Sequence, residues 1–323
     1  MMLTVGNKDL SEIVEKITWS GDTRQVARKL SFSIASKATD HYLPKPKLSE
    51  GDSVLLKDDA GKVVFGGILF DIDKSGGSNT TTYLAFDLMF YINQSQLSRV
   101  FDDTPENITS AVCSELGVPF GGAAHTGIKV YMPCFGKTGY EVIMMGYTAA
   151  SRQNSKKYMP LMKNVNQLWV IEKGAYSGAV LEGGYNLTDS NYKTSLQKLV
   201  NKVLITDKTG KIVDKIEDTA SMKKYGVVQK IYQKEDGKDA KTEAKALMEG
   251  IEQAGSVSGI SDVRAISGYS IAVQEPVSGL YGLFYIESDT HTFENGKATM
   301  QLTLAFQNMM DEKEIEKQSS KEG

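Results

Sequence analysis

Gly136-Lys137-Thr138 has the form of the end of a phosphate-binding loop, in which glycines let successive amides wrap a phosphate while the lysine reaches its oxygens. Such a loop needs an earlier glycine, and Tyr131 stands there, so Thr138 reads instead as the cap of a helix that begins after a turn. Asp71 and Asp73 could hold a hard cation, but alternation along a strand puts both on one face, which reads as solvated. The histidines His41, His125 and His291 are far apart and belong to no zinc-binding spacing. His291 has Glu294 nearby as an acid–base partner on paper, yet Thr292 to Gly296 reads as a strand end and turn. A nucleophile elbow is absent, because Gly255-Ser256-Val257-Ser258-Gly259 has valine where the serine is required, and the stretch reads as a flexible linker. Cys113 falls near an apolar helix stripe and Cys134 follows a proline, which suits packing rather than a thiolate nucleophile. Glu141 is accounted for as a capping residue. The residues therefore nominate no catalytic, cofactor-binding or metal-binding position, and an enzyme is not expected.

The elements that surround these residues fall into three stretches. Up to about residue 95 the pattern is strand-like: Leu30, Phe32 and Ile34 alternate with small polar residues, and a long strand from Val63 to Asp73 contains Gly66-Gly67, the mark of a bulge or a close backbone approach. Near residue 100 helices enter. Thr104-Pro105-Glu106 starts one whose stripe is Ile108, Ala111, Val112 and Leu116, and Gly117 ends it; Thr138 to Glu141 is a capping box that opens a second, to about Ala150. Residues 158–162 and 168–171 read as a hairpin. From Leu199 strands return, with a helix expected from about Asp239 to Gln253 that shows Ala244, Leu247, Met248 and Ile251 on one face. Residues 311–323 contain one aliphatic residue and read as a mobile charged tail.

The expected fold is mainly β: a small antiparallel barrel or sandwich over 1–98, a mixed α+β domain over 99–198, and strands with a helix again over 199–310. The 323 residues suffice for two or three compact units. With 37 Lys and Arg against 40 Asp and Glu, the net charge is −3, and no concentrated basic surface argues for a general nucleic-acid binder. No apolar run approaches the roughly 20 residues of a membrane helix, and the first residues show no signal peptide, so synthesis and folding in the cytoplasm are expected. Two cysteines are too few for a disulfide scaffold.

The order of segments then becomes informative. Ile17 to Asp22 leads to Arg28 to Ile34, Gly51-Asp52 and Phe65 to Ile68. Ala85 to Ile92 is followed by the Thr104-Pro105 helix, Gly117-Val118-Pro119, Tyr140 and Lys156-Lys157-Tyr158. Lys224 to Gln229 precedes an Ala/Lys/Glu helix, Gly279 to His291 and Met300 to Leu304. This arrangement resembles the baseplate hub proteins of contractile phage tails and tail-like bacteriocins, the XkdQ-like hubs of PBSX-type prophages, over nearly the whole chain.

The resemblance implies two tail-tube-like barrels in one polypeptide. It also implies a homotrimer that offers six tube-like units to a hexameric tube, joins the central spike to it and starts tube assembly. Implied partners are the tail tube protein, the spike, the baseplate wedge proteins and the tape-measure protein, with DNA passing the lumen without specific binding, no membrane insertion and no cofactor. The implied location is the bacterial cytoplasm during assembly and then the baseplate. Matched Trp19, Tyr91, Tyr158, Tyr225 and His291 read as packing or turn residues, and interface residues stay unknown. Two alternatives stand beside this reading. One is the hub of a contractile injection or type VI secretion apparatus; the other is a tail-associated peptidoglycan hydrolase or glycan-binding protein.

Overall fold

The computed structural model describes residues 1–24, 27–36, 42–75 and 79–315. The chain forms two compact units, Met1–Ser190 with Ser256–Gly323, and Asn191–Gly255. Strand outweighs helix, 50% to 15%, which makes the protein mainly β as expected. The first unit opens with β1 (Met2–Val5), β2 (Lys8–Asp9), β3 (Val14–Asp22), β4 (Lys29–Ala35), β5 (Ser53–Lys57), β6 (Val63–Lys74) and β7 (Thr80–Phe86). Period-two patterning decides which face is covered: in β4 Leu30, Phe32 and Ile34 are buried between half-exposed neighbours. Phe32 stacks on Tyr83 of β7 with ring centroids 4.8 Å apart, and each such fully buried side chain contributes about 1.5–3 kcal/mol. The glycine pair in β6 marks a close approach, since a methyl on Gly67 would collide with the Phe86 carbonyl and the Phe65 ring.

Next come α1 (Met89–Gln94), β8 (Gln96–Asp103), α2 (Pro105–Glu115), β9 (Phe120–Ala123), β10 (Val130–Thr138), α3 (Gly139–Asn154), β11 (Tyr158–Lys163) and β12 (Gln167–Glu172). Their shared core includes Ile108, Val112, Met132, Ile143, Tyr147 and Leu168. Gly117 adopts φ +66° just past α2, as a left-handed cap requires. Thr104 holds the N-cap position of α2, but its hydroxyl makes no cap bond, and Asp103 Oδ1 accepts from the Thr104 amide at 2.7 Å instead. The β11–β12 hairpin forms as read, antiparallel, with Asn164, Val165 and Asn166 all at positive φ in its turn.

The chain leaves the first unit after β13 (Tyr176–Glu182) along β14 (Leu187–Ser195). The second unit holds β15 (Lys202–Thr206), β16 (Ile212–Glu217), α4 (Thr219–Tyr225), β17 (Gln229–Gln233) and α5 (Ala240–Ala246). Here β15 is central, antiparallel to β16 and parallel to β17, and Val203, Ile205 and Ala244 form the core with Leu247 and Met248 against it. The helix expected to reach Gln253 stops at Ala246, because Glu249 is drawn into mutual backbone bonds with Val200, 2.8 and 3.0 Å, which a helix could not make. Ile251 is consequently exposed. The return strand β18 (Glu252–Ile260) absorbs the glycine-serine stretch expected to be a linker: Gly255, Val257 and Gly259 point inward in alternation.

The last strands are β19 (Ser270–Glu275), β20 (Leu280–Glu294) and β21 (Lys297–Ala305). They join the first ones in one curled antiparallel sheet, a half-barrel, whose order includes β21-β20-β3-β4-β7-β6-β5-β1-β2. The central ladder, β20 against β3, pairs His291 with Trp19 and Phe293 with Ile17, so the two ends of the chain share a sheet. Residues 311–315, read as the start of a mobile tail, are tied down along α3. Tyr140 Oη donates to Asp311 at 2.8 Å, the Lys313 amide donates to Thr148 Oγ1 at 3.0 Å, and Arg152 pairs with Glu314. Residues 316–323 lie outside the described residues.

Candidate functional site

In the phosphate-loop remnant the amides of Thr138, Gly139 and Glu141 are already bonded within the fold. Gly136 sits at φ +64° beside a bulge of β10, Gly139 N donates to Ser95 O at 3.0 Å, and Glu141 N donates to Thr138 Oγ1 at 3.2 Å while Glu141 Oε2 accepts from Thr138 N at 2.8 Å. Thr138 and Glu141 thus complete the capping box of α3, as read. Asp71 and Asp73 are exposed on one face of β6. Both cysteines are buried and unpaired, and burial pushes the Cys113 thiol up to about 12 and raises Cys134 against the pull of Lys137. His125 is exposed, 3.6 Å from Glu106. Burial acts to raise the Glu106 carboxyl, but bonds from Thr126 and Gly127 hold it below its ordinary range. His41 lies outside the described residues.

His291 is completely buried, and it belongs to a lock that fastens sequence-distant segments of the first unit. Arg28, entering β4, forms a bidentate pair with Asp289 of β20: Nη1 donates to Oδ1 at 3.0 Å and Nη2 to Oδ2. Asp289 Oδ1 also accepts from the Ser267 amide at 2.6 Å, and Ser267 Oγ accepts from Arg28 Nη1 at 3.2 Å. His291 Nε2 lies 3.1 Å from the Ala265 carbonyl, which can only accept, so Nε2 carries the proton and Nδ1 accepts from Ser261 Oγ at 2.8 Å. Burial holds the imidazole below its ordinary value, against the opposing pull of Asp289 3.5 Å away. Trp19 completes the cluster, with its ring 5.1 Å from that of His291 and 4.2 Å below the Arg28 guanidinium. Gly21 is required beside it, since a methyl there would occupy the place of the guanidinium. Glu294 points elsewhere and pairs with Lys16 at 3.5 Å, so the acid–base pair conceivable from sequence does not form.

Above this lock a cleft of about 350 Å³ opens. Its floor includes Trp19, Arg28 and Asp87, its walls include Val64, Phe65, Met162 and Ile266, and Lys62, Lys163 and Arg264 stand at its rim. The tip of the β11–β12 hairpin forms one side, and it reaches β6 because Gly66 has no side chain: a methyl there would lie 3.2 Å from Asn166 Oδ1. Burial raises the Asp87 carboxyl to about 7, opposed by hydrogen bonds from the backbone and by the charge of Arg28. Among the described residues, the buried atoms Trp19 Nε1, Arg28 Nε and Asn166 Oδ1 have no hydrogen-bond partner.

Of the aromatic residues read as packing, Trp19 and Tyr158 are buried, Tyr158 against Tyr147 at 4.7 Å. Tyr91 is partly exposed in a cluster with Phe70 and Phe90, and in the second unit Lys224 covers Tyr225 at 5.0 Å. Sequence reasoning missed Arg28, Asp87 and Asp289. A signal existed for Asp289, which shares strand parity with His291 and Phe293, the buried side of β20; nothing local marks Asp87 or ties Arg28 to a partner 261 positions away.

Among curated proteins, the phage-like element PBSX protein XkdQ of Bacillus subtilis (strain 168) is 26% identical, over 94% of this chain and 95% of its own. Among solved structures, the 43 kDa tail protein of prophage MuSo2 from Shewanella oneidensis superposes with a TM-score of 0.71 at 14% identity, over 94% of this chain and 97% of that one. A tail protein from Neisseria meningitidis MC58 gives 0.64 at 15% identity, over 94% and 95%. At those identities the two structures share its fold. The family model described as YQBQ-like matches residues 17–305, the span from the Trp19 strand to the end of β21, and the chain belongs to that family.

Proposed function

We propose that this protein is a structural baseplate hub of a contractile phage tail or tail-like particle. The observation that carries the reading is the full-length likeness: a relative from a phage-like element and two tail-protein folds each match more than nine-tenths of the chain. The buried chemistry agrees with a mechanical role. Arg28, Asp289 and His291 are spent on binding β4, β20 and residues 261–267 to one another. In this reading the strands of 1–98 and 199–310 supply tube-like surfaces, with 99–198 between them. Three copies present six such surfaces to a hexameric tube, the spike sits below, and wedge and tape-measure proteins attach around and within. Closed rings of this kind are built from heterologous contacts, for which sheet edges serve. The protein works without turnover, and its place is the baseplate, reached after assembly in the bacterial cytoplasm.

Light scattering across a concentration series, joined to a tube-nucleation assay with the cognate tube protein, tests the proposal. A mass near three times 35.4 kDa and faster tube growth are expected. A monomer at every concentration that also fails to nucleate tubes would overturn it.

A further inference from the structure

We propose that the open edge of β17 in the second unit is a self-pairing surface, on which β17 of a second copy of this chain lies antiparallel and joins two three-stranded sheets into one of six. The pairing is independent of the hub reading. The sheet order is β16-β15-β17, so β17 has a neighbour on one side only among the described residues. On that side Lys202 N donates to Val228 O at 3.2 Å and Lys234 N donates to Thr206 O at 2.8 Å. In a parallel ladder with Lys202 opposite Gln229 and Thr206 opposite Gln233, these bonds turn the main-chain groups of residues 228, 230, 232 and 234 toward β15. The N–H and C=O groups of Gln229, Ile231 and Gln233 therefore face the open side. Such a row is completed by another strand.

The two edges of this sheet differ in what keeps other strands away. β16 is broken by a bulge where Asp214 and Ile212 face Ile205 and Thr206, and it is lined with charge: Lys215 pairs with Glu217 at 2.8 Å and Asp214 with Lys241 at 3.2 Å. Bulges and charges are what natural edges use against pairing. β17 has an unbroken register, no proline, and uncharged residues at all three positions that bond outward. Its sequence also selects the occupant. At the bonding positions Gln229, Ile231 and Gln233 the strand is a palindrome centred on Ile231. A two-fold axis there sets Gln229 opposite the partner's Gln233 and Ile231 opposite the partner's Ile231, so every open N–H and C=O finds its complement in an isologous contact. On one face Ile231, 63% exposed, is covered by its counterpart. On the other the Lys230 stem lies beside the partner's Tyr232 while its ammonium keeps Glu249 at 3.3 Å. The ladder is short, so the association belongs with the weak interfaces of less than ~1,200 Å².

The test is disulfide capture in the full chain. Opposed Cα atoms of a hydrogen-bonded antiparallel pair lie about 5.5 Å apart, within disulfide reach. Gln229→Cys/Gln233→Cys is therefore expected to form a covalent dimer under mild oxidation, read on a non-reducing gel. Each single variant is expected to dimerise at least about tenfold more slowly, since like cysteines across the axis stand roughly 13 Å apart. Adding Ile231→Lys to the double variant opposes two ammonium groups and is expected to slow capture about fivefold. Cys113 and Cys134 are buried and take no part. The three substituted positions are exposed, and thermal melts confirm that the variants fold. No dimer from the double variant, single variants that cross-link as fast as it does, or capture indifferent to Ile231→Lys would each overturn the proposal.

Discussion

Asp289 is the buried carboxylate that joins Arg28, Ser267 and His291 in the first unit. Its carboxylate is fully buried, receives both guanidinium nitrogens of Arg28, accepts from the Ser267 amide and faces His291. Asp289→Asn keeps the shape but leaves the Arg28 cation without a counter-charge and turns an amide donor toward a guanidinium donor. Removing one partner of a buried pair costs about 3–5 kcal/mol, because the remaining charge stays desolvated. For a domain of this size that corresponds to a fall in Tm of about 6–20 °C. Urea unfolding followed by tryptophan fluorescence measures it cleanly, since Trp19 and Trp169 both lie in the first unit. The companion variant Arg28→Met/Asp289→Leu removes both charges and is expected to be less destabilised than Asp289→Asn alone. A cost below about 1 kcal/mol for the single change, or simple additivity of Arg28→Met and Asp289→Leu in the double variant, would refute the account of the lock as a coupled buried pair.

Asp87 sets an opposite pH dependence to His291. Its carboxyl, raised from 3.8 to about 7, holds a proton in the folded state that the unfolded chain has released, so stability falls as pH rises through that window, by an order of magnitude of about 4 kcal/mol in all. Asp87→Asn, whose oxygen can still accept from the Met89 amide, should therefore stabilise the protein more at pH 8.5 than at pH 5, by a difference of about 2–3 kcal/mol; equal effects at both, in urea titrations, would contradict the burial argument. With Asp87 removed, the His291 contribution is left exposed: its folded value is depressed, so stability is lost as pH falls below the unfolded value of about 6.5. Gly67→Ala should cost about 1–3 kcal/mol by forcing its methyl against the Phe86 carbonyl, and an unchanged denaturation midpoint would show that β6 and β7 can part there without penalty.

Local rules carried the sequence reading where the physics is local. The alternation of Leu30, Phe32 and Ile34, the Thr138–Glu141 capping box, the Gly117 cap and the β11–β12 hairpin each depend on neighbours a few residues away, and each formed as read. The helix expected to continue to Gln253 failed because its competitor was non-local: Val200 claims the backbone of Glu249. Gly255 to Gly259 failed for a related reason, since small residues that look like a linker can also be the inward positions of a strand with little room. Residues 311–315 are charged enough to read as solvated, yet their acids find Tyr140 and Arg152 on a helix more than 150 positions earlier.

The candidate site divides along the same line. Residue types, the Gly66-Gly67 pair and the membership of His291 in a strand were visible along the chain, because composition and period are properties of the chain itself. That Arg28 meets Asp289, that Asp87 lies under a cleft, and that Asn166 and Trp19 line that cleft together were decided only when β20 paired with β3 and the hairpin tip came down on Gly66. Burial and partnership are set by which strands become neighbours, and no local pattern in this chain encodes the register that brings its two ends together.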